Sequence, residues 1–310
     1  MPFPRAKSRS YKELTLQQLR SFGETARLGS LAAAAKSLGL THPTVREQVM
    51  SLEREFHVKL IEPHGRGCHL TAEGRLLAEM VSPIVTSAAA LRKRFELARE
   101  QADVRLVVAG PPRIIQEDLP HAVQTFLKLR PQVRLAFLEI RDDQVARAVE
   151  ANDADLGLTT DRAPERVPPG LEFESAYEID TLLLTPKRHP LARKKNVRPA
   201  DLKSYPLITS RYTMSDQPEL VAMLDRSGVL EGPAPRVEPF LAATVRRYVE
   251  MNFGIALVYG LPPRGKVGPL HERSMSKHFG RGLVRFVLRR GTAHEQLARE
   301  LAQAIRVSNR

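Results

Sequence analysis

The chain is short of most features that would announce a chemistry. It carries one cysteine, Cys68, among 310 residues, so an internal disulfide framework is excluded. No apolar run approaches the roughly 20 residues that cross a bilayer as a helix. The N-terminus, MPFPRAKSRSYK, has basic residues without the apolar core of a secretory signal. These two absences predict a soluble cytoplasmic protein with no membrane partner. No Gly-x-Ser-x-Gly elbow, Gly-rich phosphate loop or His-Glu-x-x-His pair occurs, so the motifs that mark α/β enzymes are missing. No catalytic residue and no cofactor is expected. His64, Cys68 and His69 are close in sequence, but without a fourth ligand and zinc spacing they read as a strand with incidental histidines, not as a metal site. Acidic residues are scarce too: 35 Asp and Glu against 48 Lys and Arg leave a net charge of +13. That excess suits a polyanionic partner, an argument about association and not about fold.

What is present centres on residues 30–56, SLAAAAKSLGLTHPTVREQVMSLEREF. The Ala-rich run over 31–37 has side chains small enough for a second helix to come close. Gly39 suits a helix C-terminus, where a positive φ costs it little. Thr41 stands at an N-cap and Pro43 near the first helical position, where its missing N–H is no loss. Val45, Val49, Leu52 and Phe56 then recur at spacings of four, three and four, predicting one buried stripe, with Thr44, Glu47, Gln48 and Ser51 facing away. Two helices joined by a tight turn form a helix-turn-helix, which sets the start of its second helix against base edges in the major groove. Thr41, His42, Pro43, Thr44, Arg46 and Gln48 are the candidate DNA-binding residues. The alternative is an ordinary helical hairpin in some other core.

The flanks extend this pattern. Residues 16–27 predict a first helix with Leu16, Leu19, Phe22 and Ala26 on one face. Residues 59–70 predict a two-stranded wing whose tip, His64-Gly65-Arg66-Gly67, carries Arg66 toward a phosphate or minor-groove contact. Residues 1–13, with Arg5, Lys7, Arg9 and Lys12, read as a solvated tail. Thr71 opens a long helix to about residue 101, roughly 45 Å at 1.5 Å per residue. Within it Leu77, Val81, Ile84, Ala88, Leu91, Phe95 and Ala98 alternate spacings of four and three. That heptad seam predicts pairing with another helix, and Pro83 predicts a bend in it.

From residue 104 the pattern becomes α/β. Strands over 105–109, 133–140 and 155–159, with helices near 117–129 and 142–151, predict a parallel sheet covered by helices. Strands over 177–185, 207–209, 236–240 and 254–259, with helices over 217–227 and 241–252, predict a second unit. The Pro-rich stretch 162–170 and the Gly- and Pro-rich stretch 260–269 read as crossings between the two, and a strand over 282–289 and a helix over 294–307 return to the first. Ligands bind beyond the carboxyl ends of parallel strands. Those ends gather Pro112, Arg113, Thr159, Thr160, Thr209, Ser210 and Arg211: hydroxyls, N–H groups near helix starts and two guanidiniums, a candidate anion site. Singly, each of these reads as a cap or turn residue.

Residues 16–74 resemble the N-terminal domain of LysR-type transcriptional regulators. Leu19-Arg20, Phe22, Gly29-Ser30, Ala34-Ala35, Pro43, Val45, Leu52-Glu53 and a wing closing on Leu70, Thr71 and Gly74 stand in that family's order. Thr41-His42 replaces the common Ser-Gln before the Pro, Arg46-Glu47 replaces the common Ser-Arg after the Val, and Pro63 replaces a frequent wing Arg. The family's common target sequence is therefore not assumed. The resemblance implies an N-terminal all-α winged helix-turn-helix, a long linker helix, and a C-terminal α/β two-lobed domain like a periplasmic binding protein. It implies double-stranded DNA and a small-molecule effector as partners, a homodimer formed through the linker helix, and a homotetramer built from dimers. The boundaries expected are 14–72 for DNA binding, 73–102 for the linker and 103–310 for the effector domain, with lobe 1 at 103–173 and 271–310 and lobe 2 at 174–270. DTLLLTPKRHPLA, SYPLITS and ATVRRYVEMNFGIALV resemble the sulfur-assimilation branch, in which strand-end hydroxyls hold a sulfate-like anion. Thr160 and Thr209 match that branch, but Pro111, Pro112 and Arg113 stand where threonines are expected, so a carboxylate or another oxyanion on Arg113 fits as well. The competing readings are an architectural DNA-binding protein without effector, which would need no two-lobed pocket, and an α/β enzyme.

Overall fold

The computed structural model describes residues 14–65, 67–100, 104–160, 164, 167–209, 218–239, 242–261 and 268–309. The chain forms two compact units. One holds the described residues up to Arg99 with the short segments Val167–Gly170 and Arg290–Ala293; the other holds the rest of the described residues.

In the first unit, α1 (Leu16–Leu28), α2 (Leu31–Leu38) and α3 (His42–Phe56) follow one another, each with its own stop and start. Thr15 and Gln18 form a reciprocal capping box on α1. Gly29 and Gly39 end α1 and α2 in the left-handed region, and Ser30 and Thr41 cap α2 and α3, which satisfies N–H groups that a helix start leaves open. Ala34 and Ala35 pack on Val45, so the small side chains do allow the close approach that the sequence predicts. Leu19, Phe22, Val49 and Leu52 form the core with Leu60, Ala78 and Val81. Phe56, expected in the buried stripe, is instead exposed, because His57 turns the chain away in a left-handed C-cap.

The wing is an antiparallel pair, β1 (Ile61–His64) and β2 (Gly67–Leu70). It is fixed to the helices by the Cys68 N–H donating to the Gly29 carbonyl at 2.8 Å. A Cβ at Gly74 would lie 2.0 Å from the Leu60 carbonyl oxygen, so only glycine lets the next helix start against the wing. That helix, α4 (Ala72–Glu100), runs through Pro83 as one element. Its apolar residues divide differently from the expected seam. Val81 and Ala78 are buried in the core of their own unit, with Leu77 packed beside them. Leu76, Met80, Ile84, Leu91 and Phe95 are exposed.

The second unit is built on a seven-stranded sheet in which β4 (Val133–Glu139), β3 (Val104–Gly110), β5 (Leu156–Thr159), β9 (Arg281–Arg289), β6 (Leu171–Pro186) and β7 (Ala256–Gly260) lie in that order, with β8 (Leu270–Ser274) also on β6. The sheet is mixed, not wholly parallel. β3 is parallel to β4 and β5, while β9 is antiparallel to β5 and β6, and β6 is antiparallel to β7 and β8. β6 starts six residues before the predicted strand and joins the two lobes: its first half pairs with β9 and its second half with β7 and β8. β8 lies beside the second lobe's strands, so the chain returns to the first lobe after Ser274.

In the first lobe, α5 (Pro120–Leu129), α6 (Asp142–Glu150) and the C-terminal helix, Glu295–Ser308, pack on the sheet. The second lobe carries the short α7 (Pro190–Arg193) and α8 (Pro199–Leu202), then α9 (Pro218–Arg226) and α10 (Ala242–Glu250). α11 (Ser276–Phe279) and α12 (Glu295–Ser308) complete the chain. The strand expected at 236–240 does not form over Arg236–Pro239, and Phe240 lies outside the described residues. The segment expected as a strand at 207–209 makes only one parallel bridge, Leu207 to Ile255.

Candidate nucleic-acid interface and effector site

Val45, Val49 and Leu52 turn α3 so that its other sides point out of the core. Thr41 and Thr44 sit at its start, their hydroxyl oxygens 2.7 Å apart, with the Thr41 oxygen accepting the Thr44 N–H. Gln48 is committed sideways. Its carboxamide oxygen accepts from the buried Ser21 hydroxyl on α1, and one turn on Ser51 accepts from the Gln18 amide at 2.9 Å. His42 and Arg46 face the wing. With Leu31, Met50, Ile61, Pro63, Gly67 and Cys68 they line a groove of about 540 Å³ between α3 and the hairpin. Pro43 is exposed at the first turn. Arg66 lies outside the described residues; its chain neighbours are Gly65, at φ 53°, and Gly67, the first residue of β2.

Three features of this surface were not read from the sequence. On the exposed side of α3, Arg54 donates to the Glu47 carboxylate. His64 and His69 stack, with ring centroids 3.6 Å apart. Glu53 is buried and binds the wing to α3, accepting the Leu60 and Ile61 N–H groups at 2.9 and 3.4 Å and pairing with Lys59 at 2.9 Å. Burial alone would raise the Glu53 pKa, but Lys59 and the two N–H groups outweigh it and hold the carboxyl below its ordinary range. Cys68 is half-buried and its pKa is raised chiefly by burial, against a Leu31 N–H that favours the thiolate. No group of three or more metal-ligating side chains is assembled among the described residues.

In the second unit, Gly110, at the carboxyl end of β3, leads through Pro111 and Pro112 to Arg113. The π-helical segment Ile114–Asp118 follows. Arg113 donates to buried Asp118 at 2.9 Å, and Asp118 also accepts the Tyr177 hydroxyl at 2.8 Å. Burial would lower the Arg113 pKa; Asp118 and its neighbours overcome this, and the guanidinium stays charged. The tyrosine is pushed well above its ordinary value by burial and by Asp118. One terminal guanidinium nitrogen of Arg113 is buried with no hydrogen-bond partner among the described residues. At the neighbouring end of β5, the Thr159 hydroxyl and the Thr160 N–H both donate to Asp142, at 2.7 and 2.5 Å. A buried carboxylate at the start of α6 thus already occupies two donors that were expected to meet an effector. Thr209 is half-buried in the second lobe, just beyond the Ile208 N–H bond to Ile255. Ser210 and Arg211 lie outside the described residues.

Family comparisons follow the same division. Residues 16–75 match the family model described as the bacterial regulatory helix-turn-helix protein, lysR family, and residues 99–308 match the LysR substrate binding domain. The chain is 27% identical over 287 residues to the HTH-type transcriptional regulator CysB of Burkholderia cenocepacia, covering 90% of this chain and 88% of that one. It is also 27% identical over 247 residues to SsuR of the same organism, covering 79% of each. Among solved structures, it resembles CbnR, a LysR family transcriptional regulator, with a TM-score of 0.55 and 21% identity over 96% of this chain and 99% of that one. It resembles full-length OxyR from Pseudomonas aeruginosa with a TM-score of 0.56 and 19% identity over 96% and 100%. These structural likenesses concern the fold.

Proposed function

Because the chain belongs to the LysR family of DNA-binding transcriptional regulators, we propose that a small anionic effector, held between the lobes of the second unit, sets how the winged helix-turn-helix engages its operator. The division of labour follows the boundaries 14–72, 73–102 and 103–310. His42, Thr44 and Arg46 meet base edges, Gln48 joins them by exchanging its Ser21 bond for a base, Thr41 and Pro43 form the helix start, and Arg66 contacts phosphate. Phosphate contacts supply most of the affinity and base contacts most of the selectivity. Two chains pair through α4, pairs assemble into a tetramer, and the protein works in the cytoplasm.

The observation that carries the effector reading is the buried Arg113 nitrogen without a partner. A buried donor left open costs about 1–3 kcal/mol, and an oxyanion beyond the end of β3 would satisfy it. Arg113, the loop at Pro112, Thr159, Thr160, Thr209, Ser210 and Arg211 make up the proposed site, with Thr159 acting through Asp142. The resemblance to the sulfur-assimilation branch supports a sulfate-like oxyanion, while with Arg113 where a threonine is expected a carboxylate or another oxyanion fits as well. Thermal unfolding with sulfate, thiosulfate and small carboxylates tests the choice. An anion at about 100 times its Kd should stabilise the wild type by about 2.7 kcal/mol and Arg113→Lys, which lacks the guanidinium fork, by much less. Equal stabilisation of both would reject Arg113 as a ligand. No stabilisation by any anion would favour the architectural reading.

A further inference from the structure

Glu47 is out of place by charge. The protein carries a net +13, yet a carboxylate stands on the helix that enters a polyanion. Its position on that helix is fixed by the core. Val45, Val49 and Leu52 are buried, and at 3.6 residues per turn Glu47 lies about 200° round from Val45, on the side facing away from α1, α2 and the wing. Its side chain is 64% exposed. His42 and Arg46 face the groove beside the wing, and Gln48 is bonded to Ser21. Glu47 therefore points outward from the middle of the helix. Arg54, two turns further on the same side and 65% exposed, reaches back to pair with it.

We propose that Glu47 reads a cytosine in each operator half-site, with Arg54 as its counter-ion. The argument rests on the DNA-binding function of the first unit. In the major groove cytosine offers an amino donor. Guanine offers two acceptors, thymine an acceptor and a methyl group, and adenine a donor flanked by the N7 acceptor. An ionised carboxylate only accepts, so cytosine alone meets it without a lone pair opposed. On guanine and thymine, and against phosphate, Glu47 is repelled, and on adenine a bond to the amino group sets it against the N7 lone pair. It therefore selects as much by rejecting wrong sequences as by binding the right one. Arg54 lowers that cost by keeping a cation beside the carboxylate, and when Glu47 takes up the base amino group Arg54 is left to a phosphate.

The test is selection from a random duplex library, followed by titration of the selected and scrambled duplexes, with wild type, Glu47→Gln, Glu47→Ala and Arg54→Ala. Wild type should select a motif with a cytosine fixed at one position per half-site. Glu47→Ala should lose that preference alone, cutting discrimination at that base pair about tenfold, while binding scrambled duplex more tightly than wild type does. Glu47→Gln, with an amide donor, should shift the preference toward adenine. Arg54→Ala should keep the cytosine and weaken all sequences alike. An unchanged motif with Glu47→Ala overturns the assignment and reduces the pair to surface charge. Failure of the wild type to prefer any sequence overturns the DNA-binding reading itself, and this inference with it.

Discussion

At the residue scale, the most consequential side chain that the sequence did not mark is Glu53. It was legible as part of a Leu-Glu family motif, but its partners come from the segment that follows α3, and no spacing rule links them. Its carboxylate is the buried acceptor that ties the wing's first residues to the recognition helix. Glu53→Ala removes that acceptor from the Leu60 and Ile61 N–H groups and should cost about 1–3 kcal/mol of local stability. Amide hydrogen exchange of residues 57–71 reads it directly, since protection there reports opening of the wing. Because the folded pKa is below that of the unfolded chain, the stabilisation is fully present above the unfolded value near 4.3. It is lost as pH falls through the folded value. Wild-type protection of this segment should therefore fall toward that of Glu53→Ala as the solution is acidified below about pH 4. A difference between the two that stays constant to lower pH would refute the carboxylate's role. Gln48 teaches the same lesson: its bond to Ser21 is made 27 residues away in sequence, so the local pattern could only say that it faces away from the core stripe.

At the scale of elements, α4 shows how far periodicity reaches. The sequence supplies one run of fours and threes, which predicts a single seam from Leu77 to Ala98. The structure divides the apolar residues between two faces. Leu77, Ala78 and Val81 complete the first unit's own core, while Leu76, Met80, Ile84, Leu91 and Phe95 stand exposed; three of these five, Ile84, Leu91 and Phe95, belong to the expected seam. Spacing tells which residues share a face but not which molecule covers it. An exposed stripe of large apolar residues along a helix marks an interaction surface, so the proposed pairing rests on these five and not on Leu77 or Val81. Leu91→Glu with Phe95→Glu should give a monomer by analytical ultracentrifugation while leaving the first unit folded. Leu77→Glu should instead unfold that unit. A double variant that remains dimeric would rule out α4 as the interface. β8 was missed for a related reason: LHERS has one large apolar residue and follows a Gly- and Pro-rich stretch, and its strand conformation comes from pairing with β6, which no local signal contains.

At the scale of the whole molecule, the two-lobed plan of the second unit was legible because strands and helices alternate, whereas the connection between lobes was not. Beyond β6, the lobes are joined by Arg246 on α10. Its guanidinium pairs with Glu117, in the π-helical segment after β3, at 2.9 and 3.0 Å, and with Glu272 on β8. Burial raises the Glu117 pKa despite Arg246 and Arg113. An acid whose folded pKa is raised contributes stability that is fully present below its unfolded pKa and is lost as pH rises through the folded one, and Arg246, with Arg113 behind it, offsets that loss when Glu117 is ionised. Arg246→Ala leaves Glu117 and Glu272 without that cation. The loss should be about 1–3 kcal/mol, below the 3–5 kcal/mol of a fully buried pair because Arg246 is still 21% exposed. The sign of the pH response separates charge from packing. Lowering the pH from 7 to 5 protonates Glu117 more readily in the variant than in wild type, so the gap between their unfolding temperatures should narrow. A gap of equal size at both pH values would mean that Arg246 holds the lobes through its side-chain contacts and not by neutralising Glu117.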